Sequence, residues 1–131
     1  MRRLLACAAF GLLPLLSGCG AAESEVSGTV LMDGQPLAEG EIIFEDPAKA
    51  TTPAAEKIVN GKYSLKVLPG PKKVKILSSR LTGRPDPVMG MSAREQAIGP
   101  EYNEQTKLTA DIKAGTQTGV DFEVKQLPKK K

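Results

Sequence analysis

Five acidic residues early in the chain, Asp33, Glu39, Glu41, Glu45 and Asp46, are of the type that holds a hard cation, since calcium takes roughly six to eight oxygen ligands. Glu41 and Glu45, however, alternate with apolar neighbours and lie four apart, which puts both on the polar face of one strand. They read as a solvated face rather than a cage. Glu95, Glu101 and Glu104 offer carboxylates that could work as a general acid and base. Aromatic residues make up only 4% of the chain, so no stacking subsites accompany them. The chain has no histidine, which excludes Ser-His-Asp triads, Cys-His dyads and histidine-ligated zinc. Its two cysteines cannot build a four-cysteine metal site or a disulfide scaffold. No catalytic residue, metal ligand or cofactor is therefore assigned, and the protein is expected not to be an enzyme. Lys72, Lys73 and Lys75 read as a basic strand edge of the kind that blocks sheet-to-sheet aggregation. Met89, Met91, Arg94 and Tyr102 form a candidate contact loop, with the methionines supplying adaptable apolar surface.

The two cysteines fall in a segment of different character. Arg2 and Arg3 precede an apolar run from Leu4 to Leu16, and Leu16-Ser17-Gly18-Cys19 follows. The run is too short to cross a hydrocarbon core of ~30 Å and suits the apolar region of a signal peptide. Its last four residues resemble the bacterial lipobox, in which a cysteine is acylated before the bond in front of it is cut. The resemblance implies a lipoprotein signal peptide over residues 1–18, lipidation of Cys19 and loss of Cys7 with the leader. The membrane is then a partner through the Cys19 lipid, and Gly20, where an Asp would mark inner-membrane retention, favours the outer membrane or cell surface. The leader takes Arg2 and Arg3 and no acidic residue, so 18 basic and 15 acidic residues come closer to balance. Nucleic acid is not expected as a partner.

To position any of these groups the chain must build strands. Val26–Leu31, Ile42–Phe44, Lys57–Val59, Lys62–Val67, Lys73–Leu77, Lys107–Lys113 and Val120–Lys125 carry period-two or short apolar patterns. Asp33-Gly34, Asn60-Gly61 and Pro69-Gly70-Pro71 lie between them as turn signals, and Asn-Gly is the strongest short hairpin signal. Seven short strands separated by turns predict an all-β, antiparallel sandwich. Residues 46–55 read as a loop. Residues 80–106 read as a long irregular stretch, with one helical turn over Ser92–Ala97 that has Ser92 as its cap and Glu95 at the capping-box position. Residues 127–131 read as a frayed basic tail.

The spacing Val26-x-Gly28-x-Val30, then Asp33-Gly34-x-Pro36-Leu37 and Gly40-x-Ile42-x-Phe44, resembles the opening of the carboxypeptidase regulatory-like domain. Asn60-Gly61-x-Tyr63-x-Leu65 and Pro100-x-Tyr102-Asn103-x-x-Thr106-x-Leu108 resemble its later segments, and Gly115 to Phe122 its closing pattern. The resemblance implies a transthyretin-like (prealbumin-like) sandwich of seven strands over residues 25–126, with residues 19–24 as a tether. It implies little about activity. A transthyretin-like relative that is a hydrolase works through histidine and arginine, and this chain lacks the histidine. The expectation is a lipid-anchored, non-enzymatic interaction or structural module of the cell envelope, with a protein or glycan partner. The alternative is a carbohydrate-binding module at the cell surface.

Overall fold

The computed structural model describes residues 22–85, 87–88, 90 and 92–129. The expected leader with Cys7 and the expected lipidation residue Cys19 lie outside the described residues, as do Met89 and Met91 of the expected contact loop. Eleven strands follow in chain order: Ser24–Met32 (β1), Gln35–Pro36 (β2), Glu39–Glu45 (β3), Ala54–Val59 (β4), Lys62–Val67 (β5), Gly70–Leu77 (β6), Ser79–Pro85 (β7), Ser92–Gln96 (β8), Thr109–Ile112 (β9), Thr116–Gln117 (β10) and Phe122–Val124 (β11). Each of the seven strands expected from periodicity is present. The four additional ones are β2, β7, β8 and β10. Two of these are only two residues long, and β7 carries Gly83 and Pro85, so none displays a full alternating run.

Both Asp-Gly and Asn-Gly dipeptides make the turns that their chemistry favours. Asp33 and Gly34 have φ of 51° and 80°, and Asn60 and Gly61 have φ of 51° and 77°. Positive φ at both central residues matches the right-handed twist of the flanking strands. The two turns also dock on each other. Gly61 accepts from the Val30 N–H and donates to the Leu37 carbonyl, each at 2.7 Å. A Cβ on Gly61 would meet the Pro36 Cβ at 2.7 Å, so the glycine is needed for close approach as well as for its φ.

Hydrogen bonds link the main strands in the order β10-β1-β5-β4-β3-β6-β9, with β2 and β11 also on β1. Between β4 and β5 there is one paired position, Val59 with Lys62, at the mouth of the Asn60–Gly61 turn. The order folds there into two layers, and their apolar faces meet. Val26, Val30, Tyr63, Leu65 and Val67 from one layer join Ile42, Phe44, Ile58, Val74, Ile76 and Ile112 from the other in a single buried cluster. Phe44 bridges them, with its ring centroid 6.1 Å from Tyr63 and 6.4 Å from Phe122. Each such side chain contributes about 1.5–3 kcal/mol by leaving water.

The sandwich is not wholly antiparallel. β10 and β11 both run parallel to β1, pairing at Glu25–Val26 and at Val30–Met32 respectively. The gap in this ladder lies at Ser27–Thr29, where residues 118–121 bulge. The Val120 N–H donates to the Ser27 carbonyl at 3.1 Å, and Asp121 Oδ1 accepts from the Thr29 N–H at 2.7 Å. Gly28 sits in the middle, opposite Tyr63 in the ladder. A Cβ at Gly28 would overlap the Val120 carbonyl, and the Tyr63 hydroxyl donates to that same carbonyl. The bulge therefore occupies the space a side chain at position 28 would fill.

Gly28→Ala should force the 118–121 segment off β1 and cost about 1–3 kcal/mol in a urea melt; an unchanged midpoint would refute the crossing. Burial pushes the Tyr63 phenol above the usual tyrosine range, and the Asp121 carboxylate pushes it the same way. A raised folded-state value means that this contribution to stability is complete below the unfolded phenol's pKa, about 10, and is lost as pH rises through the folded value. In a Tyr102→Phe chain, where Tyr63 is the one phenol left, 295 nm absorbance should stay flat above pH 10 until the fold itself is lost. A simple titration near pH 10 in the folded chain would contradict it.

Candidate functional site

The acidic residues singled out from the sequence are each taken up locally or left in solvent. Asp33 Oδ2 accepts from the Gln126 N–H at 3.3 Å, and Asp46 Oδ1 accepts from the Ala48 N–H at 2.9 Å within its own turn. Glu45 pairs with Lys75 at 2.8 Å, and that hydrogen bond holds its carboxyl below the ordinary range. Glu41, Glu101 and Glu104 are exposed, while Glu95 pairs with Arg80 at 2.8 Å. Among the described residues, no group of three or more Asp, Glu, His or Cys side chains converges as a cation site.

The three lysines do not form an edge. They lie on β6, which is hydrogen-bonded to β3 on one side and β9 on the other. The sequence reading missed this because β9 returns from a distant part of the chain to cover β6. Lys75 is the ion-pair partner of Glu45, and Lys72 is buried on the inner face with Val74 and Ile76.

The stretch 80–106, read as irregular with a helical turn, is mostly strand. β7 and β8 pair into a two-stranded sheet of their own, with a bulge between Leu81 and Pro85. The helical turn expected over Ser92–Ala97 is replaced by β8. Cross-strand pairing of Arg80 with Glu95 and of Ser79 with Gln96 outweighs the local capping pattern. The helical turn occurs a few residues later, as a 3-10 turn over Pro100–Tyr102. Asn103 and Thr106 after it are buried: the Asn103 amide donates to the Gly99 carbonyl at 3.3 Å, and the Thr106 hydroxyl to the Val74 carbonyl at 2.6 Å. Tyr102 is half-buried and packs against the core, so it anchors this segment. Arg94, by contrast, is exposed on β8, its Nε donating to the Ser79 hydroxyl at 2.9 Å and its Nη2 lying 3.7 Å from Glu39.

The hairpin is braced at its root. Arg80 donates through Nε to Glu95, through Nη1 to the Leu127 carbonyl at 2.8 Å and through Nη2 to the Pro128 carbonyl at 2.9 Å. The Ala97 N–H donates to the Ser78 carbonyl and the Leu127 N–H to the Ala97 carbonyl, at 2.9 and 2.7 Å. The tail expected to fray is thus held through Pro128. Beyond this root, Leu81 is 59% exposed and Val88 90%. A groove of about 500 Å³ runs beside the root, lined by Glu39, Lys57, Val59, Ser79, Arg94 and Gln96 among others. The bracing residue Arg80 was not singled out from the sequence. Its only local signal is the short β-prone run Arg80-Leu81-Thr82.

Comparison with known proteins adds little to this geometry. No family model matches the chain, and no curated protein matches it. Among solved structures it is similar to a DUF3823 family protein from Parabacteroides merdae, at 17% identity and a TM-score of 0.43, over 83% of this chain and 48% of that one. It is also similar to part of a 9R-lipoxygenase from Cyanothece, at 12% identity and a TM-score of 0.44, over 77% of this chain and 16% of that one. The chain thus spans less than half of either protein, and similarity at this level identifies neither a shared family nor a shared activity.

Arg80→Ala should loosen the hairpin without unfolding the sandwich. It removes three charge-assisted bonds at a partly buried site, each worth about 1.5–3 kcal/mol at most. Amides of β7 and β8 should exchange with deuterium at least tenfold faster, while those of β1, β3 and β6 keep their protection; uniform exchange across all strands would argue against a separable hairpin.

Proposed function

We propose that this chain is a lipid-anchored, non-enzymatic interaction module of the cell envelope, a transthyretin-like sandwich that presents the β7–β8 hairpin to a protein partner. One observation carries the reading: residue 24 and the hairpin root lie at opposite ends of the sandwich. β1 runs from Ser24, opposite Val67, toward the Asp33–Gly34 turn. The hairpin leaves β6 after Leu77, at the end where Glu39 pairs with Val59 and where Ser78 donates to the Glu39 carbonyl at 2.7 Å. Nine residues of β1 span about 30 Å. A lipid on Cys19, just ahead of β1, would hold the Ser24 end at the bilayer and lift the hairpin about that far from it.

The lipobox-like Leu16-Ser17-Gly18-Cys19 supports the anchor, and acylation by two or more chains would make it lasting. The interlock of Gly28, Pro36, Gly61 and Tyr63 gives a physical reason for the motif spacing that resembles the carboxypeptidase regulatory-like domain. The exposed Leu81 and Val88, set among the charges of Arg84 and Arg94, give the hairpin the mixed apolar and cationic surface common at protein contacts.

Because the Ala97 N–H donates to the Ser78 carbonyl, residues 79–96 can be replaced by an Asn-Gly turn without parting the root. In envelope extracts this variant should stay membrane-bound and folded but lose the cross-linked protein partners of the intact chain. Retention of the same partners, or capture of glycan alone by both forms, would turn the reading toward another surface or toward carbohydrate binding. Cys19→Ser should move the protein from membrane to soluble fractions.

A further inference from the structure

Lys72 is 4% exposed and sits on the inner face of β6, in line with the core residues Val74 and Ile76. Burying an ammonium group without a partner is costly, so an inner-face lysine ordinarily carries a carboxylate or a set of carbonyl acceptors. Among the described residues the Lys72 side chain has no hydrogen-bond or ion-pair partner, and no buried side-chain nitrogen is left unpartnered, so its stem is buried while its ammonium group stays open to solvent. Its head reaches a cleft instead. β4 and β5 share one paired position at their turn and then separate into different layers, which leaves an opening at their far ends. The opening has a volume of about 550 Å³ and is walled by Thr51, Thr52, Ala54, Leu65, Val67 and Leu68, with Lys72 among the lining residues. That volume is within the range of small-molecule sites.

We infer that this cleft is a binding site for a small oxyanion, a carboxylate or phosphate, carrying a short apolar group: the anion pairs with Lys72, and the apolar group lies on Leu65, Val67 and Leu68. The threonine hydroxyls of Thr51 and Thr52 supply further donors at the wall. Two acids, Glu23 and Glu56, also line the cleft, and neither comes within ion-pairing distance of Lys72. Both are exposed and solvated, and Glu56 Oε1 already accepts from the Lys57 N–H at 2.9 Å. Lys66 lines the cleft too but is exposed like the two acids, so the cation on the inner wall, without a protein counter-ion, is the Lys72 head. The cleft lies at the Ser24 end of the sandwich, away from the hairpin, and does not depend on what the hairpin binds.

The test uses the 15N-labelled full chain in phosphate-free buffer, titrated with octanoate, octyl phosphate and uncharged octyl glucoside. Either or both anions should shift the amides of Thr51, Thr52, Ala54, Val67 and Lys72, the stronger response naming the headgroup. Octyl glucoside should leave these amides in place. Lys72→Met should weaken anion binding at least tenfold and leave the thermal midpoint unchanged or raised, since it removes an unpaired charge; Lys72→Gln, similar in length, serves if the methionine variant does not fold. Absence of anion-dependent shifts at these amides, equal binding by the Lys72 variants, or an equal response to octyl glucoside would overturn the inference. So would a fall in midpoint in the Lys72 variants matched by Glu23→Gln or Glu56→Gln, which would make Lys72 an internal ion-pair partner.

Discussion

The Tyr63 hydroxyl donates to the Val120 carbonyl above Gly28, and the closure of the sandwich depends on that contact. β10 and β11 are too short to hold the last third of the chain by their own ladders, with two and three paired positions on β1. What joins them into one continuous edge is the bulge at 118–121, and the bulge fits only because residue 28 has no side chain. The Asp121 carboxylate then takes the place of a missing ladder carbonyl for the Thr29 N–H. A buried backbone acceptor left without its donor costs about 1–3 kcal/mol, so removal of the phenol would reach beyond one bond. The same tyrosine ring packs on Phe44 across the layers, which couples edge closure to the centre of the core.

With that edge closed, the two ends of the sandwich take different characters. At one, two turns with positive φ dock against each other through Pro36 and Gly61, and the β7–β8 hairpin is rooted beside them. A two-stranded sheet is marginal alone in water. Here Arg80 supplies what the hairpin lacks by tying it to Glu95 and to the chain after β11. The hairpin thus has a fixed root and exposed outer residues. At the other end, the layers part between β4 and β5, and a lysine enters from the core side.

Charge placement follows from these packing decisions. Acidic residues that look like a cation set along the sequence are distributed over turns, a strand face and ion pairs, because period-two geometry and cross-strand partners separate them. The lysines of β6 are divided by the pleat. Lys75 on the outer face meets Glu45 on β3, while Lys72 on the inner face meets no acid. One residue of register separates an ordinary cross-strand pair from a lysine whose stem lies in the core.

The amino-acid sequence by itself determined the all-β class, the seven principal strands and both two-residue turns. These rest on local physics: alternation of apolar and polar residues, and the positive φ that Asp-Gly and Asn-Gly accept. It also marked Gly28, Tyr63, Asn103 and Thr106 as positions of note, though not what they touch. The tertiary structure alone decided that β10 and β11 run parallel to β1, that Ser92–Gln96 is a strand instead of a helical turn, and that β6 is an interior strand. It alone placed Arg80 as the brace and Lys72 inside the cleft. Each of these depends on residues outside the local segment, from the facing strand of a hairpin to the far end of the chain, and no local pattern encodes which strand will supply the missing hydrogen bonds.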